Sequence, residues 1–128
     1  MTGRRLQTMI DRAVAYFAAA DGLEADPIMA HLHPSCVMEV PTHGVVKRSL
    51  AEIRETYVQR QHVVKWSWHG DFKFMADVDN NRLAIRLGVK RTFADGRMSE
   101  MDNVTILEFK DGLISRVSAW MAGENTLK

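Results

Sequence analysis

Residues 83–121 read LAIRLGVKRTFADGRMSEMDNVTILEFKDGLISRVSAWM and contain two Asp-Gly pairs, Asp95-Gly96 and Asp111-Gly112, whose first residues are 16 positions apart. Asp-Gly supplies the positive φ angles that a tight hairpin turn needs. A strand-like run lies between the two pairs and on each side of them. We therefore expect each pair to form the tip of an antiparallel hairpin, so that the segment folds as a curved β-meander.

Alternating apolar and polar side chains mark the strands around these turns. Residues 66–76 carry mostly large apolar side chains at even positions and mostly polar ones at odd positions. Residues 83–93 have the opposite phase, with an apolar series from Leu83 to Val89 at odd positions. Successive side chains of a strand point to opposite faces, so each run has one buried face. The pattern predicts four long antiparallel strands, at about residues 66–76, 83–93, 98–109 and 113–121.

Three helical patterns precede the sheet. Apolar residues recur at three- and four-residue spacing over residues 4–20, which predicts a helix. A short second helix is expected between the start signal Asp26-Pro27 and the stop signal His33-Pro34. The capping box Ser49-Leu50-Ala51-Glu52 predicts a third helix that runs to about residue 62. We therefore predict an α+β fold in which a cone-shaped, curved antiparallel sheet packs against three N-terminal helices and encloses a small-molecule pocket.

Composition limits the partners and the location of the protein. At 128 residues and 14.5 kDa the chain has the length of one domain, over residues 1–128. Seventeen Lys and Arg residues against sixteen Asp and Glu residues, without a basic block, argue against a nucleic-acid partner. The single cysteine, Cys36, excludes an internal disulfide. The N-terminus is unlike a signal peptide and no apolar run reaches the roughly 20 residues of a membrane span, so we expect a cytoplasmic protein without membrane contact.

Two stretches carry a family resemblance. With AVAYFAAAD at residues 13–21, FKDGLISRVSAW at residues 109–120 and the order of helices and meander, the chain resembles the nuclear transport factor two-like superfamily and its SnoaL-like branch. That superfamily includes steroid isomerases, epoxide hydrolases, polyketide cyclases, dehydratases, a dehydrochlorinase and proteins without chemistry. Since one fold serves so many functions, the function has to be inferred from polar groups inside the cone.

The first site comparison is with the ketosteroid isomerases. Their tyrosine on the first helix matches Tyr16, whose hydroxyl we expect to bind substrate. Their base and second acid would fall on Val40 and Thr105, which do no acid or base work at neutral pH. Steroid isomerisation by that mechanism is therefore disfavoured.

The second comparison is with the limonene-type epoxide hydrolases, which use an arginine between two acids. Arg86 matches their arginine, and the resemblance makes it a candidate substrate-binding residue. The two acids would fall on Gly88 and Ala119, neither of which transfers protons. That mechanism is disfavoured as well.

The third comparison fits better. Scytalone dehydratase and the hexachlorocyclohexane dehydrochlorinase have an Asp at the end of the first helix and a His on the first long strand, which correspond to Asp21 and His69, 48 residues apart. In the dehydratase an Asn on the third strand corresponds to Asn103. The resemblance implies that His69 removes a proton while Asp21 holds its imidazole in one tautomer, and that Asn103 orients a substrate oxygen. Such a proton transfer needs no cofactor.

The alternation of apolar and polar residues does not decide whether these side chains point into the pocket. His69 would point away from the apolar face of its strand unless Gly70 marks a β-bulge, which reverses the phase. Asn103 alternates with Asp102, so only one of these two side chains faces the pocket. Trp68 and Trp120 are expected in the pocket wall.

Further expectations concern charges, metals and assembly. Arg86 and Lys90 point the same way and either hold an anionic substrate or form an exposed face. If Arg86 faces the pocket, the outer sheet surface is too apolar for water and a homodimer is expected. The remaining histidines and Glu39 lack the spacing of a metal site, so no metal is expected.

The leading hypothesis is a cofactor-independent enzyme of lyase or isomerase type, with an Asp21–His69 general base acting on a small hydrophobic molecule. The first alternative is a non-catalytic ligand-binding or dimerisation module of the same fold. The second alternative is an epoxide hydrolase or polyketide cyclase-like enzyme with a non-standard acid, such as Asp102 or Glu39.

Overall fold

The computed structural model describes residues 2–128. Within this range the elements are α1 (Thr2–Asp21), α2 (Ala25–Met29), β1 (Leu32–Val40), β2 (Val45–Lys47), α3 (Leu50–Val63), β3 (Val64–Asp77), β4 (Arg82–Phe93), β5 (Met98–Lys110) and β6 (Leu113–Trp120). Short 3₁₀ turns follow β1 and β3. The predicted α+β class, with helices on one side of a curved sheet, is confirmed.

The strands form one sheet in the order β2-β1-β6-β5-β4-β3. The segment from β3 to β6 is the expected antiparallel meander. β1, however, pairs with β6 in parallel, through Val37 opposite Arg116 and Glu39 opposite Ser118. The sheet is therefore mixed rather than purely antiparallel, and its outer strands β2 and β3 leave it unclosed. A parallel pair between distant segments has no turn of its own, which explains why the local sequence did not indicate it.

Both Asp-Gly pairs form hairpin turns, but in different ways. Asp111 and Gly112 both have positive φ, 53° and 77°, as a two-residue turn of the primed type requires. At the other turn only Gly96 has a positive φ, 92°. There the Phe93 amide donates to the Arg97 carbonyl at 2.8 Å, closing a longer loop. The predicted hairpins are confirmed.

α1 and α3 are placed by clear end signals. The Ser49 hydroxyl accepts a hydrogen bond from the Glu52 amide at 3.2 Å, so the capping box begins α3 as expected. α1 continues to Asp21, where the Gly22 amide donates to the carbonyl of Ala19 at 3.0 Å. The end of α1 therefore places the Asp21 carboxylate beside β3.

A bulge in β3 decides which of its side chains point inward. The β3–β4 register shifts between Gly70 and Lys73, and Asp71 has a φ of 54°. Before this shift the side chain of His69 faces the helices, and after it Phe72 packs against the core. The extra residue reverses the alternation, as expected of a bulge. The bulge that the sequence required for His69 to point inward is therefore present.

The inner face of β4 packs under the helices and forms much of the core. Its odd positions from Leu83 to Val89 are at most 2% exposed, whereas Arg86 lies on the opposite face. A homodimer was expected only if Arg86 faced the pocket. Since Arg86 faces outward, that reason for expecting a homodimer does not hold. Among residues 2–128, no helix is both long and apolar enough to span a membrane.

Candidate active site

A cavity of about 40 Å³ lies between α1, α3 and the concave face of the sheet. Its lining is apolar with a few polar groups, and a residue of the segment after β6, Leu127, forms part of the wall. The polar lining residues are Tyr16, Tyr57, Arg60, His69, Arg91, Asn103 and Thr105. Convergent polar groups in an apolar concavity are typical of a ligand or active site.

Asp21 and His69 meet at one wall of this cavity. His69 Nδ1 lies 2.5 Å from Asp21 Oδ1, and the His69 backbone amide donates to Asp21 Oδ2 at 3.0 Å. The Ser67 hydroxyl donates to Asp21 Oδ1 at 3.0 Å. The imidazole also stacks on Phe17, with ring centroids 5.2 Å apart. These contacts hold the ring in one orientation.

The hydrogen bonds to Asp21 define the tautomer of His69. An ionised carboxylate only accepts hydrogen bonds, so Nδ1 carries the proton and Nε2 keeps its lone pair. Burial of the ring lowers the pKa of His69 below its ordinary value of 6.5, although the hydrogen bond and charge of Asp21 oppose this shift. The nearby Arg60 and Arg91 lower the pKa further. His69 is therefore neutral at pH 7, the state that a general base requires.

Arg60 stabilises the Asp21–His69 pair through hydrogen bonds to neighbouring groups. It is 2% exposed and donates to the Ala20 carbonyl at 2.8 Å and to the Ser67 hydroxyl at 3.0 Å. Ser67 in turn donates to Asp21. These hydrogen bonds, from Arg60 to Ser67 and from Ser67 to Asp21, therefore fix the Asp21 carboxylate at the end of α1.

Two tyrosines lie together at a second wall. The hydroxyls of Tyr16 on α1 and Tyr57 on α3 are hydrogen-bonded to each other. Burial raises the pKa of both hydroxyls, so both remain protonated at neutral pH. Tyr16 was expected from the sequence, whereas Tyr57 was not among the predicted site residues.

Asn103 is the inward-facing member of its pair. It is 4% exposed and lines the cavity, and its Oδ1 accepts a hydrogen bond from the Ala122 amide at 3.0 Å. Asp102 points to the outer face, where Arg86 binds it with Nη2 2.6 Å from Oδ2. The question that the alternation left open is therefore answered in favour of Asn103.

Three predicted substrate-binding residues lie outside the cavity. The Arg86 side chain is 55% exposed in its ion pair with Asp102, so the expectation that it binds substrate is corrected. Trp68 lies on the outer face of β3, where it covers Gly70 and carries Lys90 5.0 Å from its ring centroid. Trp120 is 37% exposed at the end of β6. The bulge explains Trp68, since the phase reversal that turns His69 inward turns its neighbour outward.

Arg91 was not among the predicted site residues, although the alternation of β4 places it on the buried face. It follows Leu87 and Val89 in the odd, inward phase of β4, and it is 3% exposed in the cavity wall. A charged residue in an otherwise apolar phase points to a buried functional group. Arg60 and Thr105, which also line the cavity, had no assigned role.

The acids of the second alternative lie elsewhere. Asp102 is on the outer face, as described. Glu39 accepts a hydrogen bond from Ser118 at 2.8 Å and pairs with Arg116 at 3.1 Å. The Ser118 hydrogen bond lowers the pKa of Glu39, which keeps it ionised. Within residues 2–128, no group of three His, Cys, Asp or Glu side chains is arranged to hold a metal ion.

Comparison with known proteins identifies the family. A family model described as SnoaL-like domain matches residues 13–117. The chain belongs to the SnoaL-like domain family. A search of curated proteins finds no significant match.

Several solved structures share the fold. A proposed polyketide cyclase from Silicibacter sp. TM1040 is 22% identical, with a TM-score of 0.79 over 90% of this chain and 89% of that one. A proposed polyketide cyclase from Xanthomonas campestris pv. campestris is 16% identical, with a TM-score of 0.81 over 91% of each chain. BvnE pinacolase from Penicillium brevicompactum is 15% identical, with a TM-score of 0.79 over 91% of this chain and 84% of that one. At these identities the likeness establishes the fold alone.

Proposed function

We propose that this SnoaL-like protein is a small-molecule enzyme of lyase or isomerase type, in which His69 removes a proton from an apolar substrate. The observation that carries this proposal is the 2.5 Å contact between His69 Nδ1 and Asp21 Oδ1 at the wall of the cavity. An oriented, neutral imidazole in an apolar cavity is suited to general base catalysis.

The chemistry follows from the geometry of the pair. A substrate C–H bond breaks, its proton moves to His69 Nε2, and its electron pair stays on the substrate as an enolate. The positive imidazolium is stabilised by the carboxylate of Asp21, and the enolate oxygen by the Asn103 amide or the Tyr16 hydroxyl. Loss of a β-substituent completes a lyase reaction, and return of the proton to another carbon completes an isomerase reaction. Neither outcome requires a cofactor.

The comparisons support the same class. Two of the proteins that share the fold are proposed polyketide cyclases and a third is a pinacolase, names that describe chemistry on small organic molecules. Membership of the SnoaL-like family supports a small hydrophobic substrate for this chain.

The size of the cavity favours a second candidate, a non-catalytic module with a collapsed cone. About 40 Å³ is far less than the roughly 300 to 1,000 Å³ of typical ligand pockets. Part of this restriction comes from Leu127, which lies in the cavity wall. The enzyme therefore needs the segment around Leu127 to move when substrate binds, whereas the module does not.

Proton exchange tests the proposal without the natural substrate. In D₂O, the wild-type protein is expected to accelerate exchange of the α-protons of cyclohexanone or phenylacetone, measured by proton NMR. His69→Gln and Asp21→Asn should remove this acceleration, by about 100-fold or more for the base itself. Cyclohexanone and phenylacetone differ in size, so the comparison also reports how far the cavity opens.

The matched control is His62→Gln, which changes an exposed histidine in the last turn of α3 that does not line the cavity. This variant should exchange the ketones at the wild-type rate. Circular dichroism checks that all variants are folded. If the wild-type protein is no faster than folded His69→Gln, the general base proposal fails and the module is favoured.

A further inference from the structure

Arg91 is a buried cation for which residues 2–128 provide no hydrogen-bond or ion-pair partner. Its side chain is 3% exposed, and its Nε and Nη1 atoms are buried with no hydrogen-bond acceptor among residues 2–128. Arg60, the other buried arginine at the cavity, has both the Ala20 carbonyl and the Ser67 hydroxyl as acceptors. Unlike Arg60, Arg91 therefore has two buried guanidinium nitrogens that remain free to donate to an incoming acceptor.

The charges around the cavity do not balance. Arg60 and Arg91 bring two guanidinium groups, and Asp21 brings one carboxylate, which is already engaged by His69 and Ser67. Glu124 is near enough to influence Arg91, but it is an exposed residue paired with Arg97 at 3.4 Å. The cavity therefore retains one positive charge that the described residues do not neutralise.

An uncompensated buried charge is costly to the free protein. Burial lowers the pKa of Arg91 to about 10, with Arg60 contributing in the same direction, and the group is still protonated at pH 7. Buried charges are normally paired because their desolvation is otherwise unfavourable. An anion that enters the cavity would supply the missing partner.

We propose that Arg91 is the anion-binding residue of this cavity and that the ligand is an apolar organic acid whose carboxylate pairs with its guanidinium group. This inference extends the proposed function by naming the substrate class. Arginine suits the role because its donors match carboxylate oxygens and it stays charged when buried. Once the segment around Leu127 has moved, the rest of the molecule would contact the apolar lining residues Leu87, Val89, Val117, Ala119 and Met121.

The position of Arg91 relative to the general base supports this assignment. Both side chains line one cavity, and Arg91 on β4 is the register partner of Ser67, two residues before His69 on the same face of β3. A carboxylate held at Arg91 therefore fixes the remainder of the substrate near Nε2. Ser99 lies directly opposite Arg91 on β5, and its buried hydroxyl has no hydrogen-bond partner among residues 2–128.

Binding of matched small ligands tests the proposal independently of catalysis. Acetate and acetamide have nearly the same size and shape but differ in charge, and their binding is followed by NMR shifts of the Arg91 Nε–H and His69 ring signals. The wild-type protein is expected to bind acetate about tenfold or more tightly than acetamide, because a hydrogen bond to a charged group is the stronger one. Benzoate and benzamide repeat the comparison with an apolar body.

Three variants assign the preference to Arg91. Arg91→Met should abolish it, and Arg91→Lys should retain a weaker preference for the anion. Arg86→Gln is the matched control, since it removes one positive charge from the outer face of the same strand and should keep the full preference. His69→Gln should also keep it, which separates anion binding from the general base.

Two results would overturn the proposal. One is equal binding of acetate and acetamide by the wild-type protein, which needs no variant to be observed. The other is an unchanged anion preference in Arg91→Met. The melting temperature separates this role from a structural one. Arg91→Met should melt at or above the wild-type temperature, because it removes an unpaired buried charge. If Arg91 stabilised the fold, the variant would melt at a lower temperature. If anion binding fails but ketone exchange still requires His69, the general base proposal stands without the acid substrate.

Discussion

The pKa of His69 depends on several other residues of the site. Burial, Arg60 and Arg91 lower this pKa, and Asp21 raises it. The local sequence around His69 contains none of these influences, because each comes from another helix or strand. A residue-level interpretation of the sequence could therefore name the histidine and its orienting carboxylate but not its charge state.

The pH dependence of exchange follows from the direction of this shift. The base is active only when neutral, so activity should be constant near pH 7 and fall on the acid side with an apparent pKa below 6.5. Arg91→Met removes a nearby positive charge and should move this limb to higher pH. Asp21→Asn removes a negative charge and should move the ring pKa lower. NMR titration of the His69 ring measures both shifts, and an apparent pKa above 6.5 in the wild-type protein would contradict the expectation.

At the scale of elements, the bulge in β3 decides what the cavity contains. Over residues 68–72, Trp68 points outward, His69 points inward and Phe72 points inward again. Gly70 lies at this bulge, and a Cβ added there would be 2.1 Å from the Trp68 ring. A side chain at this position would therefore require the Trp68 ring to move.

Gly70→Ala is therefore expected to displace the Trp68 ring and, with it, the backbone that carries His69. The expected results are a changed tryptophan fluorescence spectrum, a loss of about 1 to 3 kcal/mol of stability from overpacking, and slower ketone exchange. Gly88→Ala is the matched control on the neighbouring strand, where the added Cβ would lie 3.4 Å from the same ring. A larger effect from Gly88→Ala than from Gly70→Ala would show that the bulge does not hold the site.

At the scale of the whole molecule, the segment after β6 closes the cone. The Ala122 amide donates to Asn103, and Asn125 holds Leu127 through hydrogen bonds of 2.8 and 3.0 Å to its backbone. The Leu127 side chain, 7% exposed, completes the cavity wall. We therefore expect access to His69 and Arg91 to depend on this segment.

Leu127→Ala tests that dependence. Truncation of a buried leucine should cost about 2 to 3 kcal/mol in the free energy of unfolding, measured with urea, and should enlarge the cavity. Binding of benzoate should become tighter than in the wild-type protein, whereas acetate, which already fits, should change little. Lys128→Ala alters the exposed neighbouring residue and should leave stability and binding unchanged. Weaker benzoate binding in Leu127→Ala would show that Leu127 contacts the ligand instead of restricting it.

The amino-acid sequence by itself determined the hairpins at Gly96 and Gly112, the start of α3 at Ser49, and the meander, because turn chemistry, capping and alternation act over a few neighbouring residues. It also indicated Asp21, His69 and Asn103 as site residues through family resemblance. Only the tertiary structure decided that β1 pairs with β6, that Arg86 lies outside and Arg91 inside, and that Arg91 finds no hydrogen-bond partner in the described part of the chain. These features depend on strand register, a bulge and contacts between distant segments, and each arises only when the whole sheet packs against its helices.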